Sequence, residues 1–345
     1  MRLSNTVFIV LLFIVLGAVL TNGCRKGPQT KMPPTKAFVV PPGFPEPRQI
    51  WSSGPMTEEA FVLGRKLFHD GRLSLDGNFP CSSCHQQVAG FTTWEHDRSH
   101  GYNHSHTLRN TPGLHNLAWA PEFNQDGSAR SLEEVARAHI TNPIEMAETI
   151  PHVLEKLRAD TAYRRLFKAA YGTEAIKEHQ LLNALAQYVL NLVSANAKYD
   201  KAKRGEAQFT AQEAAGYAVF QSKCNTCHTE PLFTDYNYHN VGLSVDPALN
   251  DYGRMRVTNY AGDSLKFRTP SLRNVAATGQ YMHDGRITSF AGAVEQHRSS
   301  VVPSPTLDPL LAGGIKMTDA EKFNLVQFLY TLTDSSFIQN RRFME

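Results

Sequence analysis

Apolar residues recur at helical spacing in several separate stretches of this chain, and alternation of the strand type is rare and short. Thr57 stands before Glu58 and Glu59, and Leu63 and Leu67 then share one face. A threonine cap followed by carboxylates in the first turn suits the positive end of a helix dipole. Leu182, Leu185, Val189 and Leu192 fall on one face of a second, strongly apolar helix. Thr210-Ala211-Gln212-Glu213 and Thr318-Asp319-Ala320-Glu321 each read as a capping box. The first opens a helix running through Phe220. The second opens a late helix with Leu325, Phe328, Leu329 and Leu332 on one stripe. Ser131 and Glu134 form a further such pair, which puts Glu133 in a helix first turn. Residues 97–125 and 231–281 are rich in Gly, Asn, His and Pro and read as long loops, which in compact domains usually carry function. The expected fold class is all-α.

The N-terminus departs from this pattern. Arg2 precedes an apolar run from Val7 to Leu20, about 14 residues, which is short for a membrane span and the length of a signal-peptide core. Gly23 directly before Cys24 resembles a bacterial lipoprotein cleavage site, with Asn22 an imperfect match. Cys24 then becomes the lipidated first residue of the mature protein, on the periplasmic side of a membrane. The alternative is ordinary signal cleavage and release to the periplasm, or an uncleaved anchor that leaves Cys24 free. Pro33, Pro34, Pro41, Pro42, Pro45 and Pro47 then favour an extended tether. The expected division is a signal peptide over 1–23, a tether over 24–50 and two domains, 51–200 and 201–345. The net charge of +3 and the dispersal of the basic residues give no reason to expect nucleic acid.

Five cysteines place the chemistry. Cys81-Ser82-Ser83-Cys84-His85 and Cys224-Asn225-Thr226-Cys227-His228 are two copies of C-x-x-C-H, the attachment signal of c-type haem. Both cysteines of each copy add across haem vinyl groups, and the following histidine becomes the proximal iron ligand. A redox dithiol has no need of that histidine, and a zinc ribbon wants its four cysteines in one compact unit. Two covalent haems follow, in two cytochrome c-like domains with long haem-wrapping loops. In each, a helix leads into the motif and a later amphipathic helix packs against it.

Further residues around these motifs carry a resemblance. Leu63-Gly64-Arg65-Lys66-Leu67-Phe68 and Arg72-Leu73-Ser74 precede the first motif. Arg109-Asn110-Thr111-Pro112, Asp126-Gly127, Ser131-Leu132-Glu133 and Asn142-Pro143-Ile144-Glu145-Met146 follow it. The second half carries Phe233-Thr234-Asp235, His239-Asn240-Val241-Gly242, Phe267-Arg268-Thr269-Pro270-Ser271-Leu272-Arg273-Asn274-Val275 and Tyr281-Met282-His283-Asp284-Gly285-Arg286. The chain resembles the bacterial di-haem cytochrome c peroxidases and their relative, the di-haem enzyme that matures methylamine dehydrogenase.

The resemblance implies a division of labour. The haem on His85 is the peroxidatic one, and the haem on His228 receives and passes on electrons. His100, followed by Gly101, falls where the family's loop histidine closes the distal face in the resting enzyme; His96, His104 and His106 crowd the same loop. Glu133 is the implied proton-transfer group, where the residues alone read as an ordinary helix-start glutamate. Trp119, then Trp94, is the candidate for the family's inter-haem tryptophan, with a core aromatic as the other reading. Spacing puts His297 at the distal-ligand position of the second haem, where peroxidases have Met and the maturation enzyme Tyr; Met282 is the alternative. Asn110, Thr278 and Gln280 occupy the places of the family's Ca2+ ligands, and oxygen donors suit that ion. Phe123, Gln125 and Ser128 depart from the family's pocket pattern, which lacks its amide here unless Gln125 supplies it.

The resulting expectation is a peroxidase that reduces hydrogen peroxide to water with electrons from a small cytochrome c or cupredoxin, with a homodimer left open. Two alternatives remain: an oxidase of protein side chains like the maturation enzyme, and a non-enzymatic electron-transfer or redox-sensing lipoprotein.

Overall fold

A computed structural model describes residues 38–48 and 56–345. The signal-like run, Cys24 and most of the expected tether lie outside the described residues. The described chain is mostly helical, and its one sheet pairs Tyr238–His239 with Phe267–Arg268, two residues a side. No helix among the described residues is long and apolar enough to cross a membrane.

The longer helices are α1 (Glu58–Phe68), α2 (Leu132–Thr141), α3 (Ile150–Ala159), α4 (Thr161–Tyr171), α5 (Glu178–Leu190), α6 (Ala211–Lys223), α7 (Phe290–Ser299) and α8 (Asp319–Tyr330). The sequence signals for α1, α6 and α8 are met by caps: Thr57, Thr210 and Thr318 accept from backbone amides three residues on. At α2 the expected box is only half formed. Ser131 caps Glu134, but the Glu134 carboxylate accepts from Arg130 N at 2.7 Å rather than from Ser131. Leu192 and Leu332 lie beyond the ends of their helices, fully buried all the same.

Two apolar cores organise the chain. In the first, α1 crosses α5, with α2 and α4 alongside. In the second, α6 crosses α8. Each crossing has a glycine at its closest point: a Cβ on Gly64 would lie 1.9 Å from Ala184 O, and one on Gly216 would lie 1.9 Å from Asn324 O. The last residues of the chain return to the first core. Phe337 and Phe343 are buried in it, Tyr188 Oη donates to Phe343 O at 2.8 Å, and Arg342 pairs with Glu58 at 2.7 Å.

The segment 38–48 does not behave as the extended tether expected of its prolines. Phe38, Val40 and Phe44 pack on the first core, and Trp119 Nε1 donates to Pro45 O at 2.7 Å. Three large apolar side chains at this spacing give the segment area to bury, and a turn closed by Phe44 N on Pro41 O at 3.1 Å lays Phe44 against the core.

The two long loops join the halves. Arg109 bonds Asp126 at 2.6 Å and Asp251 at 2.6 and 2.9 Å, spanning both loops. Arg273, fully buried, meets Asp200 at 2.8 and 2.9 Å and donates to Pro231 O. Buried charges are tolerated when paired and hydrogen-bonded in this way.

Candidate functional site

Pro80 starts a single helical turn, Cys81–Cys84, and His85 N closes it on Cys81 O at 2.9 Å. The turn presents both thiols and the imidazole to one cavity of about 440 Å3, a size typical of sites for drug-sized ligands. His85 Nδ1 donates to Phe91 O at 2.9 Å, which fixes the ring and reserves Nε2 as a metal donor. Burial lowers the His85 pKa to about 4, so the imidazole is neutral and able to ligate. Burial also pushes the Cys81 thiol up to about 12. Two thiols and a neutral, oriented imidazole on a cavity of this size fit a covalent haem.

The cavity wall is assembled from distant segments. Phe68 of α1, Leu185, Ala186 and Val189 of α5, and Phe123, Gln125 and Ser128 of the first loop all line it. Gln125 Nε2 donates to Asn110 O at 3.0 Å, while its Oε1 is buried without a hydrogen-bond partner. An amide oxygen is therefore available at the wall although Phe123 has replaced the family's amide. Arg256 and Arg268 reach the same wall from the second half.

His100 lines the cavity and stacks on His96 at 4.3 Å, with His106 edge-on at 4.5 Å. Desolvation and the neighbouring His96 and His106 hold its pKa below the ordinary histidine range. From α2, the residues on the wall are Leu132, Val135, Ala136, His139 and Ile140. Glu133 is not among them: its charge reaches the Tyr171 phenol, which burial and then Glu133 raise. In the sequence, His139 shows only its place seven positions after Leu132 on the same helical face, and Glu145 only its place in the run Asn142–Met146.

The second motif repeats the design. His228 Nδ1 lies 3.2 Å from both Phe233 O and Pro270 O, and His297 Nδ1 donates to Ala293 O at 2.9 Å. Each ring is anchored through Nδ1, leaving Nε2 as the metal donor. Burial first, and His297 next, lower the His228 pKa to about 4, so the two imidazoles are close enough to sense each other. Burial likewise lowers His297. Met282 stands at a positive φ of 72° one residue before His283. Among the described residues, Cys227, Asp235 and His239 are the one group of three whose metal-donor atoms all lie within 4.8 Å of one another. Cys227 is needed for haem attachment, so this group reads as part of the haem rim. His239 bridges Asp308 at 2.6 Å and Asp235 at 2.9 Å, and these carboxylates raise its pKa against the lowering effect of burial.

Trp119 is buried between Phe38 and Phe44, with ring centroids 5.7 and 5.1 Å away, and is not a wall residue, although Leu117 is. Trp94 is exposed. Asn110 is buried, and its amide donates to Asp97 O at 2.8 Å, leaving Oδ1 as a donor atom. Gln280 Oε1 is buried without a partner, and Thr278 Oγ1 donates to Gln280 O at 3.3 Å.

The family model described as di-haem cytochrome c peroxidase matches residues 58–208. A methylamine utilization protein MauG of Methylorubrum extorquens is 35% identical over 301 residues, covering 86% of this chain and 83% of its own. A cytochrome c551 peroxidase of Nitrosomonas europaea is 31% identical over 301 residues, covering 85% and 84%. Among solved structures, a MauG-like protein associated with microbial copper homeostasis superposes with a TM-score of 0.78 at 31% identity, over 89% of this chain and 98% of that one. The diheme peroxidase BthA of Burkholderia thailandensis shares the fold, with a TM-score of 0.74 at 22% identity over 88% and 97%. With two oriented histidine–dithiol sites in one mostly helical frame, this chain belongs to the di-haem cytochrome c peroxidase family.

Proposed function

We propose that this protein reduces hydrogen peroxide to water at the His85 site, with electrons entering through the His228 site. The observation that carries the reading is the difference between the two sites. At the second, His297 faces the space of His228 from a helix, with its ring fixed by its own backbone. At the first, His100, one of the wall histidines, stands on a loop and is held by other imidazoles rather than by a backbone carbonyl. A helix-held imidazole would stay in place beside a bound group; a loop-held one can move away.

Cys81 and Cys84 would hold one haem and Cys224 and Cys227 the other, with His85 and His228 as proximal ligands. Bound there, haem supplies an iron that accepts a peroxide oxygen and exchanges electrons singly. The chain's own contribution is to keep His85 and His228 neutral and oriented and to shield the pocket with Phe68, Phe123 and the α5 side chains. Gln125 Oε1 offers a hydrogen-bond acceptor at the wall. Glu133, the residue that the resemblance implies, would share in proton transfer only from a state that brings its carboxylate to the cavity, whose wall it does not line here. The donor is a small one-electron carrier, a cytochrome c or cupredoxin. Secretion and lipidation at Cys24 would hold the enzyme on the periplasmic face of a membrane. Asn110 Oδ1 with the Thr278–Gln280 segment would take one Ca2+.

The 35% identity to a protein named for methylamine utilization favours, as a second reading, oxidation of protein side chains. Steady-state assays separate the two. Peroxide consumed in proportion to a reduced small cytochrome c supports the first; peroxide consumed only when a protein substrate is oxidised supports the second.

A further inference from the structure

The stripe that α2 turns to the His85 cavity is apolar at four of its five positions; His139 is the exception. Its side chain lines the cavity and keeps 44% of its surface open. Nδ1 is hydrogen-bonded to Glu145 Oε2. The other Glu145 oxygen accepts from Asn142 Nδ2 at 2.9 Å. The carboxylate is thus fixed from two sides and fixes the imidazole in turn. Nε2 makes no hydrogen bond among the described residues. A histidine held through Nδ1 by a carboxylate, with Nε2 unbonded and the side chain at the wall of a reaction space, is the arrangement of a general acid–base.

Two further observations tie the pair to the haem pocket. Glu145 lies close enough to Cys81, Cys84 and His85 to act on each electrostatically, and His139 acts on His85. The pair also abuts the residues after His100. Tyr102 N donates to Glu145 O at 2.8 Å. A Cβ on Gly101 would lie 2.0 Å from Ile144 O and 2.9 Å from Glu145 Cα. Movement of the His100 loop therefore bears directly on the Glu145 backbone. Glu133, by contrast, addresses Tyr171.

We propose that His139, oriented by Glu145, is a proton-transfer group of the His85 haem pocket. It rests on the peroxidase reading for its substrate. His139 Nε2 takes the proton from the near oxygen of hydrogen peroxide and returns it to the far oxygen as the O–O bond breaks, releasing one water. Two electrons from the one-electron donor and two protons from solvent carry the near oxygen to a second water. The competing structural role is a last-turn histidine that complements the α2 dipole.

The test uses the di-haem protein and a ligand other than peroxide. Hydrogen cyanide binds iron as its anion, so a group in the pocket must accept its proton. Carbon monoxide carries none and reports access alone. His139→Gln is expected to slow cyanide association with the His85 haem by about 100-fold, the lower range for a positioned acid–base group, while carbon monoxide association and haem content stay unchanged. Glu145→Gln is expected to give a smaller loss. Equal cyanide rates in wild type and His139→Gln overturn the proposal. So does a parallel fall for both ligands, which marks a packing role, or a loss in Glu133→Gln alone. A wild type that consumes no peroxide but shows the His139-dependent cyanide rate removes the peroxidase reading and leaves the proton-transfer role standing.

Discussion

Gly216→Ala tests the crossing of α6 and α8, eight residues before Cys224, which packs against the same core. The new Cβ would lie 1.9 Å from Asn324 O, 2.5 Å from Asn324 C and 2.9 Å from Phe328 Cβ. Ordinary contact begins near 3.4 Å. Two of these atoms are backbone, so no rotamer change relieves the overlap; the helices must separate by about 1.5 Å, and overpacking of this kind typically costs about 1–3 kcal/mol. Val219, Phe220, Leu325, Phe328 and Leu329 lose contact in the process. Against this, alanine gains about 1 kcal/mol of helix propensity over glycine. The carbonyl contact is at the severe end, so the net expectation is a loss of about 2 kcal/mol, or roughly 5 °C in Tm. Thermal unfolding of the holoprotein, followed by helical circular dichroism and by the haem absorption, measures it. Ser222→Ala, on the exposed side of the same helix, serves as control. A Gly216→Ala protein as stable as the control refutes the close crossing and the fold argument built on it.

Other expectations are as specific. His297→Ala should convert the second haem from low-spin to high-spin, and His297→Met should keep it low-spin and raise its potential, since thioether ligation favours the reduced state; an unchanged spectrum in both variants assigns the ligand elsewhere, Met282 first. Gly101→Ala should push the His100 loop off Ile144 O and raise the high-spin fraction of the oxidised His85 haem, read by EPR; an unaltered spin state argues that the loop does not reach the iron. His239 has its pKa raised in the folded state, so its ion pairs with Asp235 and Asp308 stabilise the fold fully below the unfolded histidine value and lose that effect as pH rises through the folded one. Urea unfolding between pH 5 and about 9 should therefore show the margin between wild type and His239→Gln shrinking as pH rises; a constant margin contradicts the pairing.

Local signals marked much of the frame. The threonine caps of α1, α6 and α8 are written in four-residue patterns, and the haem motifs in five. The histidine that follows each C-x-x-C could be read for its role because attachment chemistry fixes the spacing. The wall of the first cavity was less legible, since it is made by tertiary convergence. Arg256 and Arg268 come from the second half, and His139 shows only its helical register with Leu132. The Glu133 first turn was read correctly as a helix start, yet the side to which it faces depends on how α2 rolls against α5, which no local pattern encodes. Helices α3 and α4 carried caps at Thr149 and Asp160 that sequence reading passed over. In residues 38–48 proline density speaks for a tether, while Phe38 and Phe44 have a surface to bury against Trp119, which no local pattern encodes.

The central claim is that the two haem sites differ in kind, one permanently closed and one able to open to peroxide. EPR of the purified di-haem protein at half reduction, before and after one equivalent of hydrogen peroxide, tests it most directly. The account predicts that the His85 haem becomes high-spin once the His228 haem is reduced, that peroxide then reacts with it stoichiometrically, and that His100→Ala is high-spin without prior reduction. Two low-spin haems at every level of reduction, with peroxide reacting only by slow bleaching, would contradict it.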